Sequence, residues 1–198
     1  GGGCTNAPTC QVTLTQDTVV TAVFRARVSV RDANGDGKED LYWRDSSGGL
    51  AWWTMAGNAP TGFFFGIVPN EWTVADAGDF DGDGKADLLW WNTTLGSAYL
   101  WTLDGLAIKG FADLGVLGLT WAPVGTADMD GDGRSDVVWR RNDGLVYVWL
   151  MNGGAIVNQG SPGAVGLEWS IASLTDMDAD GRADIVWRHA TTGEVYVW

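Results

Sequence analysis

Asp79-Phe80-Asp81-Gly82-Asp83-Gly84-Lys85-Ala86-Asp87 opens the rest of the sequence to reading, because it recurs. The same pattern fills residues 32–40 (DANGDGKED), 128–136 (DMDGDGRSD) and 176–184 (DMDADGRAD), with first residues spaced 47, 49 and 48 apart. Self-similarity at such a period marks a repeat architecture. Positions 1, 3, 5 and 9 of these loops hold 15 of the 25 acidic residues, and Asn34 fills the one remaining place. The formal net charge of −13 is therefore gathered into four clusters. A chain this acidic is a poor partner for nucleic acid.

The tryptophans keep the same register. Position 12 of each repeat, counted from the first Asp, is Trp43, Trp90, Trp139 or Trp187; ten or eleven residues later come Trp53, Trp101, Trp149 and Trp198; seven before the last three loops come Trp72, Trp121 and Trp169. Only Trp52 and Trp91, of 13, fall outside this pattern, which makes them the better aromatic candidates for ligand contact. The in-register tryptophans read first as packing residues between repeats.

Each loop runs into a short apolar segment (Leu41–Trp43, Leu88–Trp91, Val137–Trp139, Ile185–Trp187), a polar turn, and a second apolar segment (Leu50–Met55, Ser97–Leu103, Leu145–Met151, Glu194–Trp198). That is the signature of a β-hairpin. A further strand precedes each loop (Arg27–Val30, Trp72–Ala75, Trp121–Val124, Trp169–Ala172), and a weaker fourth lies near Phe63–Ile67, Ile108–Phe111 and Ala155–Val157. No segment has a helical period. The fold class is all-β, with four-stranded antiparallel blades of β-propeller type. A sheet of this size cannot bury both faces alone, so such units stack or close radially. The approximate repeats are 27–73, 74–122, 123–169 and 170–198. Because the last stops after three strands, residues 27–198 amount to about three and a half blades, either a cut piece or an edge completed by another copy.

Residues 1–26 lack the repeat. Gln11–Thr15 and Thr18–Phe24 alternate as a hairpin after Cys4 and Cys10, where a local disulfide fits better than a metal site and favours export. The segment resembles the end of a bacterial immunoglobulin-like surface repeat. Gly1-Gly2-Gly3, with neither Met nor signal peptide, reads as the start of a mature or excised piece. No apolar run is long enough to span a bilayer.

An Asp-x-Asp-x-Asp-Gly loop gathers three side-chain oxygens, the Gly permits the turn, and the next residue offers a carbonyl; hard oxygen donors at this density suit Ca²⁺. EF-hand loops are excluded, since they need Glu at position 12, where this chain has Trp. The four loops instead resemble the FG-GAP or VCBS repeats of integrin-α-like β-propellers, over residues 27–198. The resemblance implies four Ca²⁺ sites. The first would use Asp32, Asn34, Asp36, Asp40 and the Lys38 carbonyl; the second Asp79, Asp81, Asp83, Asp87 and the Lys85 carbonyl. The third would use Asp128, Asp130, Asp132, Asp136 and the Arg134 carbonyl; the fourth Asp176, Asp178, Asp180, Asp184 and the Arg182 carbonyl. Asn34 lowers the charge of the first site and Ala179 replaces a turn Gly in the fourth, so the second and third are expected to bind most tightly.

Catalysis finds little support. The single His189 reads as a turn residue, no phosphate loop or zinc motif occurs, and the regular carboxylates are committed to calcium. Isolated acids such as Glu71, Asp76, Asp104 or Glu168 give no separation that would define a glycosidase pair. The expectation is a non-enzymatic, extracellular or cell-surface module of bacterial type, adhering to glycan or surface protein. Arg44, Trp91, Arg140 with Arg141, and Arg188 with His189 are where a ligand face would differ between blades, against the plainer reading of strand-end surface. Two alternatives carry different predictions: a filament or stalk subunit that self-associates through the open blade edge, and an accessory domain of a secreted polysaccharide-degrading enzyme.

Overall fold

The computed structural model of the chain describes residues 31–57 and 59–198. The Cys4–Cys10 loop, the hairpin that follows it and the strand expected at Arg27–Val30 lie outside the described residues. Among those described there are fourteen strands and no helix, hence no helix long and apolar enough to cross a membrane.

The strands form four consecutive antiparallel sheets, each a simple meander. The first holds β1 (Leu41–Arg44), β2 (Gly49–Ala56) and β3 (Ala59–Ile67). The second holds β4 (Trp72–Gly78), β5 (Asp87–Asn92), β6 (Ser97–Asp104) and β7 (Ala107–Val116). The third holds β8 (Trp121–Ala127), β9 (Asp136–Arg141), β10 (Leu145–Asn152) and β11 (Ala155–Ala164). The fourth holds β12 (Trp169–Thr175), β13 (Asp184–His189) and β14 (Val195–Val197), the three strands expected of the last repeat. These are β-propeller-type blades. Sheets two to four meet along their first strands β4, β8 and β12.

Local chemistry explains the hairpins. In β5 and β6 the pairs Leu88↔Trp101 and Trp90↔Tyr99 set large side chains opposite one another across the ladder. The turn between them is an Asx turn: Asn92 Oδ1 accepts from the Thr94 and Leu95 N–H groups at 3.0 and 2.9 Å. In the third sheet the corresponding turn ends at Gly144, with φ of 93°, where a Cβ would lie 2.1 Å from the Val165 carbonyl oxygen. Only glycine fits that approach.

The fourth strands differ from expectation. β3, β7 and β11 run 9, 10 and 10 residues, well beyond the short segments that their hydrophobicity marks. They lie largely exposed at the outer edge, Pro60, Gly62, Pro162 and Gly163 interrupt their alternation, and bulges shift their register. Backbone pairing carries these strands, and it leaves little trace in composition.

The core sits between sheets rather than within them. Leu50, Trp52, Leu88 and Trp90 fill the first junction; Leu89, Trp91, Leu100, Val137, Trp139 and Trp149 the second; Val138, Val146, Ile185 and Trp187 the third. One rule recurs in all three. The residue at position 13 of a repeat lies on the position-12 tryptophan of the next: Arg44 over Trp90 at 5.4 Å, Trp91 against Trp139 at 5.3 Å, and Arg140 over Trp187 at 5.1 Å. The arginines also hold the incoming chain. Arg44 donates to the Val68, Pro69 and Trp72 carbonyls, and Arg140 to those of Val165, Gly166 and Trp169.

This revises two readings. Trp52 and Trp91 are buried core residues, not ligand platforms. Arg44, Trp91 and Arg140 vary between blades because each solves the same packing problem differently, not because they form a ligand face. His189 ends β13 beside Trp169 and braces the turn that follows, its Nδ1 accepting from the Thr191 and Thr192 N–H groups. Truncating Trp91 empties a junction, so Trp91→Ala should cost about 3–5 kcal/mol of stability. Trp43→Ala, at a ring 49% exposed, should cost under about 1 kcal/mol. Urea denaturation of the two variants checks the contrast.

Candidate functional site

The four acidic loops share one internal design, clearest in residues 79–87. Asp79 at position 1 turns its carboxylate inward to accept from the N–H groups of Gly82, Asp83 and Gly84 at 2.7, 3.1 and 2.8 Å. Asp81 Oδ1 accepts from the Asp83 N–H, and Asp83 Oδ1 from the Lys85 N–H. Each side chain thus fixes the backbone two to five residues ahead, which explains why short acidic residues repeat at this spacing. Asp32, Asp128 and Asp176 cradle their own loops in the same way.

Position 9 does something the sequence reading missed. Asp87 is fully buried, and its two oxygens accept from the Phe80 N–H at 2.9 Å and the Leu103 N–H at 2.7 Å. Asp40 joins Ala33 to Met55, and Asp136 joins Met129 to Met151, by the same pair of bonds. The carboxylate therefore ties the start of the loop to the end of the return strand. No local pattern signals this, because the second partner lies about 15 residues downstream.

Position 4 requires a left-handed backbone. Gly35, Gly82 and Gly131 take it with φ of 75 to 83°, while Ala179 holds φ of 63° and is the one non-glycine residue at positive φ among those described. Its Cβ makes the fourth loop the strained copy.

Successive loops lie side by side. The N–H at position 8 donates to the position-1 carbonyl of the loop before it: Ala86 to Asp32 at 2.7 Å, Ser135 to Asp79 and Ala183 to Asp128 at 2.6 Å. The basic side chains at position 7, Lys85, Arg134 and Arg182, cross the position-4 glycine of the preceding loop. The acidic clusters are thus stacked in a row with cationic stems between them.

Carboxylate oxygens of Asp79, Asp81 and Asp87 lie within 4.8 Å of one another, as do those of Asp128, Asp130 and Asp136, and those of Asp176, Asp178 and Asp184. Positions 1, 3 and 9 therefore converge; the position-5 carboxylates of Asp83, Asp132 and Asp180 stand outside these groups. In the first loop position 3 is Asn34. Crowding has an electrostatic cost. Burial, reinforced by the charges of Asp81 and Asp79, pushes the Asp87 carboxyl up to about 7 against the two N–H bonds that favour its ionised form. Burial likewise pushes Asp136 up to about 6, and raises Asp79. Negative charge is under-compensated here, and hard oxygen donors in that state fit a divalent cation.

Cationic side chains compete for the same oxygens. Lys109, on β7, reaches Asp81 Oδ2 at 2.6 Å and Asp83 Oδ2 at 3.2 Å, while Lys85 pairs with Asp104. No corresponding lysine from the outer strand reaches the third loop, where Arg134 turns back to Asp132 at 3.0 Å. Of the isolated acids, Asp76 accepts from the Thr126 N–H at 3.0 Å and joins two first strands.

Two aromatic grooves lie between blades. Phe65, Ile67, Trp72, Trp90, Tyr99 and Trp101 line an open groove of about 320 Å³ at the first junction. Trp169, Trp187, Tyr196 and Trp198, at equivalent repeat positions, line one of about 260 Å³ at the third.

A sequence model described as FG-GAP-like repeat matches residues 32–90 and 128–187, more than half the chain, in two stretches that each begin at an acidic loop. No curated protein sequence matches the chain.

Without a cation, the fold prefers Asp87 protonated. The group favours folding below its ordinary value of 3.8, and that contribution is lost as pH rises toward about 7. The metal-free chain should therefore be less stable at pH 7.5 than at pH 5, with a share on the order of 2–3 kcal/mol or less from Asp87. Urea unfolding in chelator across that range checks this, and millimolar Ca²⁺ should remove the decline.

Proposed function

Because the chain belongs to the FG-GAP-like repeat family, we propose that it is a non-catalytic, calcium-stabilised recognition module working outside the cell. The observation that carries the metal half of this reading is the convergence of three carboxylates at the same repeat positions in three loops, with the position-9 members pushed up by burial and, behind it, by their neighbours' charge. The cations would sit on Asp32, Asn34, Asp36 and Asp40; Asp79, Asp81, Asp83 and Asp87; Asp128, Asp130, Asp132 and Asp136; and Asp176, Asp178, Asp180 and Asp184. The carbonyls of Lys38, Lys85, Arg134 and Arg182 complete the sets. Drawing position 5 into each shell takes a rotation of one exposed side chain.

Of the second and third loops, expected to bind most tightly, the third is favoured. Lys109 must leave Asp81 and Asp83 before the second loop binds, so the third loop becomes the tightest. Four Ca²⁺ would take the formal charge from −13 to −5. A site bound about a hundredfold below the free ion concentration stabilises by about 2.7 kcal/mol, and several such sites rival the whole net stability of a domain. Extracellular fluid supplies calcium at such levels, and this supports placing the module there. Thermal unfolding in millimolar Ca²⁺ and in excess chelator is the test: a rise in Tm of at least about 10 °C with calcium is expected. An unchanged Tm contradicts the reading.

The ligand half rests on the aromatic grooves. The partly exposed faces of Trp72, Tyr99 and Trp101 suit the apolar face of a pyranose, and the Tyr99 hydroxyl suits its hydroxyls. The same positions recur at the third junction, so two grooves on one array would engage a repeating polysaccharide with the gain that multivalency brings. Trp101→Ala should weaken polysaccharide binding in affinity electrophoresis at least tenfold while leaving the calcium-dependent rise in Tm intact. Equal retardation of both proteins would contradict the assignment.

A further inference from the structure

Two asparagines of this chain precede glycine, Asn34 and Asn152, and the fold treats them differently. An Asn-Gly pair can cyclise. With no Cβ to shield it, the glycine nitrogen attacks the side-chain carbonyl carbon of the residue before it and expels ammonia. At Asn34 the first acidic loop supplies the groups that this step needs. Asn34 and Gly35 are both exposed. The Gly35 N–H, whose nitrogen is the nucleophile, donates to Oδ1 of the buried Asp32 at 2.7 Å, so a carboxylate stands where its proton must go. Asn34 Oδ1, on which negative charge gathers as the carbonyl is attacked, accepts from the Asp36 N–H at 3.0 Å, in the manner of an oxyanion hole. Asn152 lacks the carboxylate. It pairs with Ala155 at the end of β10, and the Gly153 N–H is held by the neutral Phe80 carbonyl at 2.8 Å.

From this contrast we propose that Asn34 is a self-modifying site. The Gly35 nitrogen bonds to Asn34 Cγ as the Cγ–Nδ2 bond breaks, the proton taken by Asp32 leaves with the departing ammonia, and water then opens the cyclic imide. The net reaction takes up one water and releases one ammonium ion. Opening at Cγ restores the peptide bond and leaves an aspartate at position 34, the residue type that the other loops carry there as Asp81, Asp130 and Asp178. Opening on the other side would route the main chain through the side chain and add a carbon to a backbone that Asp32 holds by the N–H groups of Gly35, Asp36 and Gly37. The loop therefore favours the aspartyl product. With it the first loop gains the carboxylate that Asn34 withholds and approaches its neighbours in calcium affinity. That consequence rests on the calcium reading; the reaction does not.

Mass spectrometry of the metal-stripped chain, incubated at neutral pH in ¹⁸O-labelled water, tests the reaction, with the chain in guanidinium chloride as reference. In the native chain the peptide carrying Asn34 should take up the label at least tenfold faster than the peptide carrying Asn152, and no slower than it does in denaturant, where the two should react alike. A native Asn34 as slow as Asn152, or slower than in denaturant, would overturn the proposal, because the loop would then be shielding the amide. Electron-transfer fragmentation should show aspartate as the main product, and mainly isoaspartate would overturn the gain of a metal donor. Asn34→Asp reads the consequence directly: in dialysis against ⁴⁵Ca²⁺ its first loop should saturate with the others. Late saturation while the other loops fill would overturn the consequence, whereas failure of every loop to bind would overturn the calcium reading and leave the reaction standing.

Discussion

A small antiparallel sheet has two apolar faces and nothing of its own with which to cover them, and the structure follows from how this chain meets that constraint. Each sheet is closed by the next through one repeated contact, a side chain at position 13 laid on the following tryptophan. The contact accepts either chemistry. Trp91 fills its junction with a second indole, whereas Arg44 and Arg140 stack a guanidinium on the ring and spend their donors on carbonyls of the incoming chain. The first and third junctions, closed by arginine, are those at which the aromatic grooves lie.

Stacking sheets this way fixes where the acidic loops go. Because each loop leads directly into a strand at the same repeat position (β1, β5, β9 or β13), neighbouring sheets hold neighbouring loops in register, tied by the hydrogen bond from position 8 to position 1. Carboxylates are thereby lined up along one side of the array at a spacing they would not choose in water. Part of the repulsion is met by the basic residues at position 7. Burial, with the neighbouring charges behind it, raises the carboxyl values of Asp87 and Asp136, and a divalent cation would relieve both. Position 9 ties loop to hairpin and, in the function proposed, would also be a metal donor.

Much of this was legible in the sequence. Four loops in one register specified the repeat, and tryptophans at fixed distances specified what packs between repeats, because both depend on short-range spacing that one chain displays several times over. The hairpins followed from alternation. What stayed hidden depends on contacts between repeats. The alternation of Arg44, Trp91 and Arg140 looks like the variation expected of a ligand surface until the neighbouring tryptophan is seen beneath each one. Trp52 looked unassigned because it stands where the other repeats carry Leu100 and Val148, yet it fills the same core position. The outer strands were underestimated because glycine, proline and exposure erase the pattern that marks a half-buried strand. Lys109 gave no hint of its role, since the loop it approaches lies 26 to 28 residues away in sequence.

The central claim is that each repeat carries one cation and that these cations complete the array. Equilibrium dialysis of the metal-stripped chain against ⁴⁵Ca²⁺ measures that stoichiometry directly. The account predicts four ions per chain, with the first loop saturating late because Asn34 lowers its charge. Saturation at fewer than three ions would contradict it.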